Sequence, residues 1–264
     1  MSFMQTLTVL KIGGNVVDNP SVLMEVLKGF STWGGYKCLV HGGGKIANVF
    51  LNKLGIEPQM IEGRRVTDAR TLEVVTMVYA GLINKQLVGA LQSMGCNAIG
   101  LSGADAAVIP AKKRPSHPID YGFAGDVILS DIPGSTIKSW LEDNLTPVFC
   151  PLTFDKQTGG LLNTNADTIA SSVALAMSSY FRVRLVYCFE KNGVLLDPDQ
   201  EDSVISTINA EDFLQYKNEG VISAGMIPKL ENAFTAIAKG VSEVCICGPS
   251  AFRKENPIQG TLIV

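Results

Sequence analysis

Short apolar runs alternate with longer amphipathic stretches along most of this chain. The apolar runs predict β-strands because they are short, rich in β-branched residues and bounded by turn residues. They lie at about residues 6–12, 36–41, 97–101, 147–151, 182–189, 243–247 and 260–264. Strand–helix–strand order favours right-handed crossovers between parallel strands. The pattern therefore predicts an α/β fold, a three-layer αβα sandwich around a mainly parallel central sheet.

Polar capping residues indicate where helices begin between these strands. An asparagine before an amphipathic stretch can accept hydrogen bonds from the free N–H groups of a first helical turn. Such residues are Asn19, Asn165 and Asn209. A long helix is predicted from about 67 to 95 and a last one from 228 to 240, each ending at a glycine.

No repeat or low-complexity linker separates domains in this sequence. The passage from one glycine-turn region to another set of strands suggests a soft boundary near 165–181. We therefore expect an N-terminal lobe at 1–180 and a C-terminal lobe at 181–264 that share one continuous sheet. Segment 119–131 is expected to form a hairpin or flap.

Composition narrows the class of protein. Hydrophobic residues make up 46% of the 264 residues and charged residues 18%, which suits a sheet covered on both faces. The net charge of −3 and the absence of a Lys/Arg track argue against a nucleic-acid partner. We recognise no secretory signal and no membrane-spanning run, so a cytoplasmic protein without a membrane partner is expected. The six scattered cysteines fit reduced, buried thiols in that compartment.

Two strand-like runs end directly in glycines. Residues 9–14 have the sequence VLKIGG and residues 39–44 the sequence LVHGGG. Glycine lets backbone N–H groups approach a ligand without a Cβ in the way, and parallel strands bring such turns to one sheet edge. The pair predicts a site for phosphate or carboxylate groups. Because the Walker pattern and the G-x-G-x-x-G fingerprint are absent, a P-loop NTPase and a hydride-transfer enzyme are disfavoured.

Four titratable residues are candidates for chemistry at this edge. Lys11 lies at the end of an apolar strand, where it is either a lysine extending to solvent or a ligand for an anion. Lys229 lies in a first helical turn against the helix dipole, at a cost of about 0.3–1 kcal/mol. Asp167 is either an ordinary dipole-favoured carboxylate or a residue that orients lysines. We interpret His41 as a packing or hydrogen-bonding residue rather than a catalytic base.

Five motifs follow one another in a specific order. They are Lys11-Ile12-Gly13-Gly14, Val40-His41-Gly42-Gly43-Gly44, Gly63-Arg64-Arg65-Val66-Thr67, Leu162-Asn163-Thr164-Asn165-Ala166-Asp167 and Ala224-Gly225-Met226-Ile227-Pro228-Lys229. Together they resemble the amino acid kinase family, over residues from about 7 to 261. The last three motifs narrow the resemblance to its acetylglutamate branch, which serves arginine biosynthesis. The resemblance implies the amino acid kinase, or carbamate kinase-like, fold.

The resemblance also implies roles for individual residues of this sequence. The residues that bind the acylated amino acid would be Gly43, Gly44, Arg65 and Asn163. The catalytic residues would be Lys11 and Lys229, which bind the phosphoryl group in flight, and Asp167, which holds both lysines. The nucleotide-binding residues would be Gly13, Gly14, Glu190, Gly193, Leu195 and Met226, with ATP near residues 190–195 and the loop before Met226. Glu190 departs from the family pattern, in which aspartate is common.

The activity implied by the resemblance is ATP-dependent phosphorylation of the γ-carboxylate of N-acetyl-L-glutamate to N-acetylglutamyl 5-phosphate. A carboxylate of this kind has a reference pKa of ~4.3 and is ionised at neutral pH, so no strong base is needed. Its repulsion from the γ-phosphoryl group would be relieved by two lysines, backbone N–H groups and Mg²⁺. That Mg²⁺ would be held mainly by ATP oxygens and water, without a protein metal cage.

Other functions stay open from the sequence. The acceptor of the same reaction could be N-succinyl-L-glutamate, or the protein could be another kinase of the family, such as a carbamate or aspartate kinase. It could also be a non-catalytic sensor of amino acids or nucleotides with the same fold. The resemblance suggests a homodimer, and an interface along helix 68–94 is a hypothesis.

Overall fold

The computed structural model describes residues 4–197, 199–222, 226–252 and 259–264. Its strands are β1 (Thr6–Ile12), β2 (Tyr36–His41), β3 (Met60–Ile61), β4 (Arg64–Arg65), β5 (Ala98–Leu101), β6 (Ala111–Lys113), β7 (Gly125–Val127), β8 (Thr146–Phe149), β9 (Leu152–Phe154), β10 (Leu161–Asn163), β11 (Arg182–Cys188), β12 (Thr207–Ile208), β13 (Glu243–Cys247) and β14 (Thr261–Ile263). Its α-helices are α1 (Gly14–Val17), α2 (Pro20–Thr32), α3 (Gly44–Lys53), α4 (Ala69–Thr76), α5 (Asn84–Ser93), α6 (Gly134–Glu142), α7 (Ala166–Met177), α8 (Ala210–Asn218) and α9 (Ile227–Ala238). A π-helical segment, Met77–Ile83, joins α4 to α5.

Eight strands form one central sheet in the order β12-β14-β13-β11-β1-β2-β8-β5. Every neighbouring pair is parallel except β13 and β14, which are antiparallel. The strand β1 lies between β11 and β2, with Ile12 in register with both Cys188 and His41. The predicted α/β fold with a mainly parallel sheet is confirmed, and the carboxyl ends of three central strands meet at one edge.

The strands of the sheet are apolar on both faces, which is what requires a layer of helices on each side. In β1, Leu7 and Val9 belong to one core together with α7, whereas Leu10 and Ile12 belong to the other together with α2. Because side chains alternate along a strand, Lys11 lies on the same face as Val9. Lys11 is thereby directed to the side of the sheet on which α7 packs.

The long predicted helix is present and runs from Ala69 to Ser93, with the π-helical segment in its middle. By length and hydropathy it is sufficient to cross a membrane, a property that inspection of the sequence did not reveal. It buries Val75, Tyr79 and Leu87 in the core beneath the sheet, as the core helix of a globular protein does.

Three small antiparallel pairs surround the carboxyl edge of the sheet: β3 with β4, β6 with β7, and β9 with β10. The expected hairpin at 119–131 contributes β7, whose partner β6 lies further upstream than the sequence indicated. Single bridges join this segment to β10 at Ala124–Asn163 and to the residues after β4 at Thr67–Gly122. The division into lobes at 1–180 and 181–264 stays a prediction, because the central sheet continues through both.

Candidate active site

Two adjoining clefts open at the carboxyl edge of the sheet. The first, the lysine cleft, has a volume of about 380 Å³, and its walls include Lys11, Gly14, Asp167, Phe189, Glu190 and Lys229. The second, the arginine cleft, has a volume of about 170 Å³, and its walls include Gly43, Gly44, Arg65, Tyr79, Asn163 and Ala166. The clefts meet where the two glycine turns touch and where α7 begins. The anion site predicted at this edge thus consists of two compartments.

Lys11 and Asp167 form an ion pair at the junction of the clefts. The Nζ of Lys11 lies 2.8 Å from Oδ1 of Asp167, and Lys11 is only 6% exposed. Asp167 occupies the first turn of α7, whose N-cap is Asn165, as predicted. The Oδ1 of Asn165 accepts the backbone N–H of Asp167 at 2.7 Å and so fixes the carboxylate at the helix start.

Lys229 converges on the same place from α9. Its Nζ lies 3.8 Å from the centre of the Phe189 ring, and the Nζ of Lys11 lies 4.9 Å from that centre. Burial lowers the pKa of Lys229, with the charge of Asp167 acting in the opposite direction and that of Lys11 lowering it further. The structure therefore brings together the three residues predicted to be catalytic, Lys11, Asp167 and Lys229.

The residues predicted to bind nucleotide fall into two groups. Those that line the lysine cleft are Gly13, Gly14, Glu190, Gly193 and Met226. Leu195 instead lines an adjacent apolar pocket of about 140 Å³, which shares Gly193 and Met226 with the cleft. The predicted contact with the loop before Met226 falls on residues 223–225, which lie outside the described residues.

The two glycines of the first turn differ in what their N–H groups can do. The N–H of Gly13 donates to the carbonyl oxygen of Cys188 at 3.1 Å, so it continues the ladder between β1 and β11. The resemblance implies that both Gly13 and Gly14 bind nucleotide, but the N–H of Gly13 is already used within the sheet and does not serve as a free donor to phosphate. Gly13 still lines the cleft.

Arg65 is the main polar group of the arginine cleft. It is 7% exposed, and its Nη2 donates to the carbonyl oxygen of Gly44 at 3.0 Å. Its Nη1 is buried and has no hydrogen-bond partner among the described residues. An unpartnered guanidinium nitrogen in a buried cleft is costly unless an anion completes it. A carboxylate is the group that fits its planar geometry.

The backbone of Gly43 and the side chain of Asn163 shape the same cleft. Gly43 has φ of 149°, and a Cβ there would overlap with Cδ1 of Ile83, so only glycine fits. The Nδ2 of Asn163 donates to Oγ1 of Thr67 at 2.9 Å, which orients the amide beside Arg65. All four residues predicted to bind the acylated amino acid, Gly43, Gly44, Arg65 and Asn163, line this one cleft.

Comparison with known proteins agrees with this geometry. The model of the amino acid kinase family matches residues 6–248. The chain belongs to the amino acid kinase family. A relative from Cytophaga hutchinsonii named acetylglutamate kinase is 52% identical over 265 residues, which cover 99% of each chain. The resemblance that the five motifs predicted is confirmed.

Solved structures show the same fold. The Streptococcus mutans protein smu.665 superposes with a TM-score of 0.78 at 29% identity, covering 98% of each chain. Carbamate kinase from Giardia lamblia, bound to AMP-PNP, superposes with a TM-score of 0.69 at 16% identity, covering 100% of this chain and 99% of that one. The carbamate kinase-like architecture is therefore confirmed.

For this member of the amino acid kinase family, His41 is a structural residue, in agreement with its interpretation from sequence. It is fully buried, its Nδ1 donates to the carbonyl oxygen of Gly42 at 2.8 Å, and its Nε2 accepts from Nδ2 of Asn84 at 3.2 Å. Burial lowers the pKa of His41 to about 4. It is therefore neutral at physiological pH and braces the glycine triplet from behind.

Two aromatic residues of the site were missed by sequence reasoning. Tyr79 lies in the π-helical segment, is 4% exposed and packs beside Arg65. Burial raises the pKa of the Tyr79 hydroxyl, and the positive charge of Arg65 acts in the opposite direction. Phe189 directly follows β11 and lies beneath both lysine nitrogens. Its place at the exit of a central strand was the available signal, because ligands bind beyond the carboxyl ends of such strands.

Proposed function

We propose that this protein transfers the γ-phosphoryl group of ATP to the γ-carboxylate of N-acetyl-L-glutamate, in arginine biosynthesis. The observation that carries the proposal is the junction of the two clefts: Lys11 and Lys229 face one of them, and an unpartnered nitrogen of Arg65 faces the other. Membership of the amino acid kinase family and the name of the 52% identical relative support it.

In this proposal the arginine cleft receives the acylated amino acid. Nη1 of Arg65 donates to the substrate's α-carboxylate, while the bond from Nη2 to Gly44 keeps the guanidinium in place. The backbone of Gly43 and Gly44 and the amide of Asn163 contact the rest of the substrate. The side-chain carboxylate then points toward the junction, where Lys11 and Lys229 converge.

The lysine cleft receives the triphosphate. A carboxylate oxygen of the substrate attacks the γ-phosphorus, the bond from phosphorus to the β,γ-bridging oxygen breaks, and ADP leaves with that oxygen. The acceptor is already ionised, so no residue has to remove a proton. The two ammonium groups reduce the repulsion between the reactants and stabilise the charge of the transferring group. Asp167 holds Lys11 by the ion pair and attracts Lys229 electrostatically.

The apolar pocket beside the lysine cleft suits an adenine ring. Its walls include Leu195, Ile222 and Met226, and it opens beside Gly193. A Cβ on Gly193 would crowd Oγ1 of Thr261 and Cγ1 of Val204, so this loop lies tightly against β14. In the proposal, the lobe at 181–264 carries the nucleotide and the lobe at 1–180 the acylated amino acid.

Mg²⁺ is proposed to accompany ATP. Of the carboxylates on the walls of the lysine cleft, Asp167 is paired with Lys11, whereas Glu190 is exposed and pairs with no described cation within 4.0 Å. The described residues contain no group of three or more potential ligands that could hold a metal ion. This donor set fits an ion bound chiefly by phosphate oxygens and water, with Glu190 able to hold one of those waters. When bound, the ion would neutralise phosphate charge.

N-succinyl-L-glutamate is a second candidate acceptor, and Arg64 is the observation that favours it. Arg64 lines the arginine cleft beside Arg65, and no described carboxylate pairs with it within 4.0 Å. Burial and the charge of Arg114 lower its pKa, while Asp126 acts against them. Since one guanidinium suffices for the α-carboxylate, a second suits an acyl group that ends in a carboxylate.

The protein is proposed to act as a homodimer through the long helix. Met77 and Leu82 on its outer face are 59% and 37% exposed, and a second copy packed along this helix would cover both. Light scattering should give twice the chain mass for the wild type. A Met77→Arg variant should shift the mass toward the monomer, and a wild-type monomer would contradict the proposed assembly.

The activity is tested by trapping an acyl phosphate with hydroxylamine after incubation with Mg·ATP. N-acetylglutamate, N-succinylglutamate, aspartate and carbamate are compared as acceptors, with Lys229→Ala as the control for contaminating kinases. Turnover of N-acetylglutamate is the expected result. Preference for the succinyl compound, lost in Arg64→Ala, would establish the second candidate. Turnover of none of the four would refute both and favour a sensor.

A further inference from the structure

The ring of Phe189 lies directly beneath the two lysines of the lysine cleft. Nζ of Lys229 is 3.8 Å from the ring centre and Nζ of Lys11 is 4.9 Å from it. The backbone N–H of Phe189 donates to the carbonyl oxygen of Cys247 at 2.9 Å, which fixes the residue at the end of the central sheet. The ring stacks on Tyr187, with centres 5.9 Å apart and planes inclined by 8°. The ring is therefore held in place independently of the lysines.

Among the described residues, the two ammonium groups have one carboxylate at ion-pair distance between them. Asp167 pairs with Lys11 at 2.8 Å, whereas Lys229 has no described carboxylate within 4.0 Å. Burial and repulsion from Lys11 lower the pKa of Lys229, while the charges of Asp167 and Glu190 act in the opposite direction from beyond ion-pair distance. In the part of the chain that the structure describes, the attractive contact of the charged form of Lys229 at close range is the ring of Phe189, with 3.8 Å from Nζ to the ring centre.

The face of an aromatic ring is suited to holding an ammonium group. Its quadrupole attracts a cation that lies within about 6 Å of the ring centre, most strongly where water is partly excluded. A second carboxylate would hold Lys229 as well, but it would neutralise the charge and repel the phosphates. An aromatic face attracts the ammonium while leaving its formal charge available to an incoming anion.

We propose that Phe189 is a positioning residue, whose ring face holds the charged Nζ of Lys229, and more weakly that of Lys11, at the place where the phosphoryl group is transferred. This inference rests on the proposed kinase activity for its effect on turnover, but the contact itself exists without substrate. If Phe189 only filled apolar space beside Tyr187, Phe189→Leu would leave the protonation of Lys11 and Lys229 unchanged.

The decisive experiment replaces Phe189 with phenylalanines that carry one, two or three ring fluorines. These keep the size of the ring nearly constant while weakening the negative face. We expect kcat to fall stepwise, by about 2- to 30-fold across the series, from the usual range of cation–π energies. The KM values for ATP and for the acceptor should change far less. A kcat that is flat across the series would overturn the proposal.

Conventional variants give the same contrast. Phe189→Leu should lose activity, whereas Phe189→Tyr, which has an aromatic face, should keep most of the wild-type activity. Phe213→Leu is a matched control, because Phe213 also lies beneath a lysine, Lys217 at 5.6 Å, but on α8. The control should leave kcat unchanged. Equal losses in Phe189→Leu and Phe189→Tyr would contradict the role of the ring face.

A readout that needs no turnover separates this inference from the proposed function. NMR titration of the protein, with lysines ¹³C-methylated and the Lys229 signal assigned by Lys229→Arg, measures the pKa of that amine directly. Because the ring favours the charged form, the pKa should fall along the fluorine series, and the basic limb of the kcat–pH profile should move to lower pH with it. An unchanged pKa would refute the contact even in an active enzyme. If the pKa shifts but the protein has no kinase activity, the contact between Phe189 and Lys229 is supported and the proposed function is refuted.

Discussion

The two clefts differ in how their polar groups are held in place. In the arginine cleft Arg65 is buried and Asn163 is half-buried, and neutral partners fix both: a carbonyl oxygen for Arg65 and a hydroxyl for Asn163. In the lysine cleft the groups are charged and hold one another, with Lys11 paired to Asp167 and Lys229 near both. A rigid donor geometry suits recognition of one acceptor, whereas balanced charge suits a group whose charge distribution changes during reaction. The comparison predicts that substitutions in one cleft alter KM and in the other kcat.

The largest effect is expected at Lys229. Lys229→Ala should lower kcat by about 100- to 1000-fold, as removal of a group that stabilises transition-state charge does, with little change in KM for the acceptor. Lys239→Ala, at the exposed end of the same helix, is the control and should behave as the wild type. Steady-state kinetics with both substrates provide the measurement. A Lys229→Ala enzyme with undiminished kcat would remove the distinction between the clefts.

The next effect concerns stability against acid, through His41 behind the glycine triplet. Burial lowers the pKa of His41 to about 4, whereas an unfolded histidine titrates near ~6.5. As pH falls from about 6.5 to about 4, the unfolded chain binds a proton that the folded chain does not. Folding should therefore lose up to about 3 kcal/mol from this group over that interval. Urea unfolding at several pH values measures the free energy of unfolding, which should depend less on pH in His41→Gln than in the wild type. The same pH dependence in both proteins would contradict the role of His41.

Arg65 should show the opposite kinetic pattern to Lys229. Arg65→Ala removes charge-assisted hydrogen bonds worth about 1.5–3 kcal/mol, so KM for the acylated glutamate should rise by about 10- to 100-fold. KM for ATP should remain close to that of the wild type. Arg184→Ala, which breaks an ion pair with Glu243 away from both clefts, is the matched control. An effect of Arg65→Ala on kcat alone would place Arg65 in the transition state rather than in substrate binding.

The smallest effect is expected in the apolar pocket beside the lysine cleft. Leu195→Val removes one methylene group, so KM for ATP should rise by about 2- to 4-fold, given about 0.8 kcal/mol per buried CH₂. Kinetics at saturating acceptor should reveal this change while kcat stays the same. Leu214→Val, at a side chain that is 59% exposed on α8, should have no effect. A larger rise in KM for the acceptor than in KM for ATP would contradict the assignment of this pocket to the adenine ring.

Most of the fold could be predicted because its signals are local. The strand runs and the caps at Asn19, Asn165 and Asn209 lie where they were expected, within one or two residues. The partner of β7 was missed, because pairing with β6 depends on tertiary contacts rather than on pattern. The π-helical segment was missed as well, since its residues are typical of an ordinary α-helix.

The candidate site could be predicted only in part. The glycine turns, Arg65 and the lysines follow from motifs, but the pairing of Lys11 with Asp167 depends on which face of β1 receives α7. Tyr79 and Phe189 have no motif, and their places follow from packing against Arg65 and the two lysines. The use of the Gly13 N–H by Cys188 depends on the register of β1 with β11, which no local signal fixes.

The central place of β1 has a consequence for how the protein is made. Thr6–Ile12 leaves the ribosome well before its neighbour β11, which begins only at Arg182. Pairing between segments so distant in sequence is slow, because the intervening chain must first be ordered. During synthesis, β2 can cover one edge of this apolar strand early, but the other edge has to wait for β11 and is vulnerable to aggregation throughout that interval. The nascent protein should therefore complete the junction of the two clefts only after β11 has paired with β1.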